Sequence, residues 1–209
     1  MTNVWVWAIA AGLYAGFRLF YDNWRGKLTP AEIATYLKRA QDAGTEGKND
    51  LAIFKHFLED DDGREFVMLN LVRIQPGTVT HPITGQAVPA RDMLMHYSKH
   101  FIRRLMLRGG HPAIVARKAG GYFDAWQVPP DPGWTIVGFM RYRSRRDLAE
   151  LATDTRFKNI HAFKSLGTAE TFSFPTTTML RLFIGPRLWV GLVLALAAAL
   201  AQIMLLTLK

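Results

Sequence analysis

The chain has no cysteine among its 209 residues, which excludes disulfides, thiolate metal sites and cysteine nucleophiles. It also lacks any GxGxxG, P-loop, GxSxG or HExxH pattern, so nucleotide binding through those loops and the common hydrolase mechanisms have no support. Acidic residues are few, 17 against 26 basic ones, and the formal net charge is +9. Charge itself is missing from one long stretch and nearly missing from another, and these lie at opposite ends of the chain.

From Leu188 to Leu208 there are 21 residues without a charge, enough to cross a hydrocarbon core of about 30 Å at about 1.5 Å per helical residue. Val4 to Tyr21 is a second, weaker span, with Arg18 near its end placed to snorkel to an interface. A cleaved signal peptide fits this stretch less well than an anchor, because no basic residue precedes it and Arg18 interrupts the expected cleavage region. Trp5 and Trp7 mark one interface, Tyr21 and Trp24 the other, and Trp189 marks the domain-side end of the last span. Arg18, Arg25 and Lys27 follow the first span, and Arg181 and Arg187 precede the second, with Lys209 alone beyond it. This asymmetry predicts a cytoplasmic middle, with Trp5, Trp7, Arg18, Trp24, Arg187 and Trp189 as membrane-interface residues. Leaving out Arg18 and Lys209, the segment between the spans holds 24 basic and 17 acidic residues, an excess of +7.

That middle is long enough for one compact domain and a helical extension. Thr29-Pro30-Ala31-Glu32 is a capping-box helix start, followed by Ile33, Tyr36, Leu37 and Ala40 at helical spacing. Gly44 to Lys48 breaks that helix before a short one carrying Leu51, Phe54 and Leu58, and Glu59 to Gly63 forms a turn. Glu65 to Ile74 reads as a strand, and Gln75 to Val88 as a loop able to hold a small hairpin. Pro89 opens a long helix with a Leu94, Tyr97, Phe101 and Leu105 stripe that ends at Gly109-Gly110. His111 to Lys118 and Trp134 to Arg143 are the next strands. Ser144 and Asp147 cap a helix whose pattern continues through Phe157, Ile160 and Phe163, and Ala169 to Phe174 is a last strand stopped by Pro175.

The order strand, helix, strand, strand, helix, strand is the split βαβ arrangement of ferredoxin-like folds. FVMLNLVR, the helix ending in LRGG, and RYRSRRDLAELATDTRF followed by ETFSFP resemble the dimeric α/β-barrel superfamily, in particular a poorly characterised branch of small bacterial domains. The resemblance covers roughly Glu65 to Pro175. It implies a ferredoxin-like domain whose sheet pairs with a second copy, and a bacterial inner membrane as the location of the two spans. The expected fold class is therefore α+β: a ferredoxin-like βαββαβ domain over residues 64–176 with an N-terminal helical extension over 22–63, flanked by transmembrane helices at 4–21 and 188–208.

Relatives in that superfamily include cofactor-free monooxygenases, haem-degrading enzymes and lactone isomerases. Asn70, a polar residue inside an apolar strand, needs hydrogen-bond partners or a function, because burying a bare amide costs about 1 to 3 kcal/mol. By its place on the first strand it resembles the asparagine that some monooxygenase relatives use to orient substrate or oxygen, with Trp126 and His161 as stand-ins for their tryptophan and histidine. His161 shares a helix stripe with Phe157, Ile160 and Lys164, where a half-buried structural histidine is the plainer reading. His96 and His100 lie four apart, but His96 falls away from the Leu94 stripe and no companion ligand pair accompanies them, so no metal is expected. No cofactor is expected either.

Gly120 to Gly133 is a long loop whose Tyr122, Phe123 and Trp126 either line a pocket, dock a partner or pack over the sheet edge. Arg103, Arg104 and Arg108, and Arg141, Arg143, Arg145 and Arg146, form basic clusters that suit an anionic leaflet or an acidic protein better than nucleic acid. A diffusible enzyme has no need of two spans. The sequence thus predicts a non-catalytic accessory, scaffold or assembly subunit of an inner-membrane complex. Its expected partners are membrane lipids, other integral membrane subunits and a second copy through the sheet. The rival expectation is a metal-free oxidising or isomerising enzyme acting on a small hydrophobic substrate.

Overall fold

The computed structural model describes residues 4–42, 50–155, 158–180 and 183–208. In chain order the elements are α1 (Val4–Tyr21), α2 (Pro30–Asp42), α3 (Leu51–Glu59), β1 (Phe66–Ile74), β2 (Thr78–Thr80), β3 (Ala87–Pro89), α4 (Ala90–Met106), β4 (His111–Arg117), β5 (Ile136–Tyr142), α5 (Arg145–Ala152), α6 (Lys158–Gly167), β6 (Thr168–Thr176) and α7 (Pro186–Thr207). They fall into two compact units, one made of Met1–Trp24 with Thr178–Lys209 and the other of Arg25–Thr177.

The second unit mixes α and β structure around a four-stranded sheet of order β4-β5-β1-β6, every neighbouring pair antiparallel. β1 is central, pairing Asn70 with Gly138 on one side and with Ser173 on the other. Strand alternation sends Phe66 and Met68, with Met140 and Tyr142, toward Tyr97, Phe101, Leu105 and Leu151 of the helices. Phe66 and Tyr142 stack with ring centroids 5.1 Å apart, and Phe57 meets Phe66 edge-on at 5.2 Å. A second cluster, Leu28, Tyr36, Leu58 and Ala149, packs α2 and α3 onto α5, so the helical extension shares the core of its unit.

Local chemistry explains the element ends. Thr29 and Glu32 exchange the two capping-box hydrogen bonds at 2.9 and 3.3 Å, and the Asp50 carboxylate caps α3 through the Ala52 and Ile53 amides. α4 ends in a Schellman turn, in which the Gly110 amide donates to Leu105 O and the Gly109 amide to Met106 O, with Gly109 at φ +73°. The helical break at Gly44 to Lys48 lies outside the described residues.

Three expectations need correction. The helix capped by Ser144 does not run on to Phe163; α5 ends at Ala152 and α6 starts afresh at Lys158. Thr153 turns its hydroxyl back to Ala149 O at 2.8 Å at this break, in keeping with the weak helix propensity of Thr-Asp-Thr, and Phe157 lies outside the described residues. Pro175 does not stop the last strand, because β6 is an edge strand, where a residue without an N–H is tolerated. Pro89 ends β3 and precedes α4, which opens at Ala90. The loop after β1 does form a hairpin, β2 with β3.

Both ends of the Arg25–Thr177 unit leave from one pole of the sheet. Thr176 pairs with Val67 near the start of β1, and a Cβ on Gly63 would lie 3.0 Å from the Lys27 nitrogen. The β4–β5 loop lies at the other pole, where Arg117 pairs with Ile136 and the Thr135 amide donates to Val72 O.

Candidate functional site

In the unit formed by the chain ends, α1 and α7 make an antiparallel hairpin. Tyr14 Oη donates to Arg187 O at 3.0 Å, and a Cβ on Gly191 would lie 3.4 Å from the Tyr14 ring. Both helices are long and apolar enough to cross a membrane, and most of their apolar side chains stay exposed, unlike those of a soluble core helix. At the end of the hairpin where α1 stops and α7 starts, Asp22 accepts from Arg18 and from Arg187, the latter through Nη2 at 2.6 Å. The Arg187 guanidinium sits 5.0 Å from the Tyr21 ring centroid, and Trp24 Nε1 donates to Arg18 O at 3.0 Å. Burial opposes ionisation of Asp22, but the hydrogen bonds from Arg18 and Arg187 outweigh it and hold the carboxyl below its usual range. Arg18, Trp24, Arg187 and Trp189 therefore gather at one end of the hairpin, and Trp5 and Trp7 lie toward the other.

In the Arg25–Thr177 unit, the sheet face away from the helices is largely apolar and partly exposed, most of all along its edge strands. Register places Leu69, Leu71, Val137, Phe139, Ile114, Phe172 and Phe174 on it, with Phe172 44% and Phe174 46% exposed. The β4–β5 loop joins this face through one aromatic chain: Tyr122 Oη accepts from Trp134 Nε1 at 3.1 Å, and Trp134 meets Phe172 edge-on at 5.2 Å. Asp131 pins the loop by pairing with Lys118 and accepting from the Gly133 and Trp134 amides. Tyr122 thus belongs to the sheet edge, while Phe123 and Trp126, the latter 81% exposed, project from the loop.

The three residues of the enzymatic reading occupy different settings. Asn70 lies on the helix-facing side of β1 and is satisfied by backbone, its Nδ2 donating to Met68 O at 3.0 Å and Gly138 O at 3.5 Å. His161 is exposed on α6, its ring 6.2 Å from that of Tyr97. Trp126 stands at the loop tip.

His96 lies away from the buried Leu94 stripe, as its spacing indicates. It is exposed, yet its ring stacks on the buried Phe163 at 4.4 Å, 4.7 Å from His100, and His81 of the hairpin turn reaches the same Phe163 edge-on at 5.5 Å. Burial and the neighbouring cations lower the His96 pKa. Sequence spacing gave no sign of His81, which arrives through the hairpin fold. No group of three or more metal-ligating side chains with suitable geometry occurs among the described residues.

The basic clusters differ from expectation. Arg141 is fully buried, donating to Glu65 at 2.6 Å and to Gly109 O; Arg143 pairs with Asp147 at 2.5 Å; Arg145 lies over the Phe57 ring and pairs with Asp61; Arg146 binds Glu32 at 2.8 Å. Arg104 and Arg108 face Asp154 at 2.7 and 3.7 Å. These arginines hold the unit together, leaving Arg103 as the exposed member of the first cluster. A charged cleft of about 450 Å³, lined by Arg39, Asp42, Arg108, Glu150, Thr153, Asp154 and Thr155, opens beside them. A second, apolar cavity lies between α1 and α7, and neither contains Asn70, Trp126 or His161.

No model of a known family matches the chain, and no curated protein matches it. Among solved structures, the chain is similar to a protein of unknown function from Rhodopseudomonas palustris, at 16% identity and a TM-score of 0.52, covering 64% of this chain and 97% of that one. The methylated form of that protein matches at 18% identity and a TM-score of 0.53, over 65% of this chain and 96% of its own. At such identities the likeness shows a shared α+β fold and nothing of activity.

Proposed function

We propose that the chain is a membrane-anchored accessory, scaffold or assembly subunit of a bacterial inner-membrane complex, its ferredoxin-like unit carried on the cytoplasmic side by α1 and α7. The single observation that carries this reading is the partly exposed apolar sheet face around Phe172 and Phe174 in a chain whose two ends are apolar helices packed together. An apolar face of this kind marks a protein contact. A second copy of the chain, as the superfamily resemblance implies, or another subunit supplies the cover. The strand order β4-β5-β1-β6 and the helices between strands support the split βαβ description. The exposed Phe123 and Trp126 extend the contact at the pole of the sheet away from where the Arg25–Thr177 unit begins and ends, about 26 Å along β1 at about 3.3 Å per residue.

The test is purification of the full chain in mild detergent, alone and as the Phe174→Asp variant. Integral membrane subunits retained by the native chain and lost from the variant are the expected result. A lone homodimer holding a small molecule in its interior overturns the reading in favour of an enzyme.

A further inference from the structure

We propose that the groove between α1 and α7 binds an anionic phospholipid, one acyl chain lying along the groove and the phosphate meeting Arg187. This rests on the membrane reading above.

The groove is an open trough of about 570 Å³, comparable to the volume of about 300 to 1,000 Å³ that holds apolar ligands. Its lining sets the small Ala10, Ala11 and Ala195 beside Trp7, Leu192 and Tyr14, whose ring lies over Gly191. The α1–α7 pair therefore leaves a channel that its own side chains do not fill. Arg187 belongs to the same lining, and its guanidinium lies with Asp22 and Tyr21 where α7 starts, at one end of the groove.

Charge selects the occupant. Asp22 is the only acidic residue in Met1–Trp24 and Thr178–Lys209, which contain Arg18, Arg181, Arg187 and Lys209. Arg18 and Arg187 share the Asp22 carboxylate, and both guanidinium side chains keep exposed surface, 37% and 36%. A guanidinium pairs well with phosphate oxygens, and the low dielectric of an apolar surround strengthens that pairing. A third apolar helix would cover the groove but offers nothing to the exposed guanidinium surface at its end, whereas an anionic phospholipid complements both parts.

The full chain in mild detergent is tested with phosphatidylglycerol and phosphatidylcholine, reading the melting temperature and the bound lipid by native mass spectrometry. Phosphatidylglycerol is expected to raise the melting temperature and to bind one per chain, with phosphatidylcholine at least tenfold weaker. Ala195→Phe, which fills the groove without touching the charges, is expected to cut phosphatidylglycerol binding at least tenfold. Arg187→Gln is expected to weaken it, and Asp22→Asn, which breaks the same ion pairs but frees positive charge, to strengthen it several-fold. A purely structural cluster would lower binding in both charge variants, and that result overturns the proposal. Equal binding of the two lipids, unchanged binding in Ala195→Phe, or a polypeptide cross-linked to a cysteine at position 195 in place of lipid also overturns it. Failure of the membrane reading shows separately, as a full chain that stays dissolved without detergent.

Discussion

Arg141 has no exposed surface, and a guanidinium in that position is tolerable only while its partners remain. Glu65 accepts from its Nε at 3.2 Å and its Nη2 at 2.6 Å, and Gly109 O takes Nη1. Glu65→Ala strands this charge, so it is expected to destabilise the chain by about 2 to 3 kcal/mol in urea unfolding. Pairing it with Arg141→Met should recover part of that loss, since the charge that needed a partner is gone. Glu32 makes a second prediction. The hydrogen bond from Arg146, aided by the Thr29 amide, lowers its pKa to about 2, below the unfolded value of about 4.3. A depressed carboxylate pKa contributes stability that is fully present above the unfolded value and is lost as pH falls toward about 2. Glu32→Gln is therefore expected to flatten the fall in melting temperature between about pH 4.3 and pH 2, and an unaltered profile would refute the role given to Arg146.

At the scale of elements, two glycines fix how helices meet their neighbours. A Cβ on Gly167 would lie 2.5 Å from the Leu94 nitrogen and 2.9 Å from Ala90 O, both backbone atoms, so α6 approaches α4 only because that position is bare. On Gly110 it would lie 2.7 Å from Arg141 O, with Leu105 Cδ1 at 2.5 Å. Gly167→Ala and Gly110→Ala should each cost about 2 kcal/mol or more in urea unfolding. Gly12→Ala on α1, where nothing lies within 4 Å, should cost nothing measurable in thermal unfolding of the detergent-solubilised chain. Much of this architecture was legible in advance. The capping box at Thr29, the stripe on α4, the Gly109-Gly110 stop and the Ser144 cap are local signals, and local signals survive folding. What was hidden depends on residues distant in sequence. Arg141, Arg145 and Arg146 read as a surface patch because Glu65, Asp61 and Glu32 join them only in the folded unit, whereas the Arg143–Asp147 pair, four residues apart, is a local one. His81 reached Phe163 by the same route. Asn70 was singled out correctly as a polar group needing partners, but only the strand register shows that Met68 and Gly138 carbonyls supply them.

The division of the whole molecule puts both chain ends in one unit and everything from Arg25 to Thr177 in the other. Because α1 and α7 run antiparallel, the ends that lead into the globular unit lie together, with Asp22 and Arg187 in contact there. If both helices span, as proposed, the globular unit lies on one side of a bilayer and the far end of α7 on the other, and the positive-inside asymmetry of the flanking basic residues is the argument for the cytoplasmic side. The absence of cysteine makes this directly measurable, since a single introduced thiol is the only one in the chain. Ile83, 79% exposed in the β2–β3 turn, and Leu208, 78% exposed beyond α7, suit the purpose. In right-side-out vesicles, a membrane-impermeant maleimide is expected to label Leu208→Cys at once and Ile83→Cys only after the bilayer is permeabilised. The reverse pattern would place the globular unit outside, and immediate labelling of both positions would show that α1 and α7 do not carry the chain across. Only the expected pattern leaves the sheet face of Phe172 and Phe174 in the compartment where cytoplasmic subunits or a second copy can cover it.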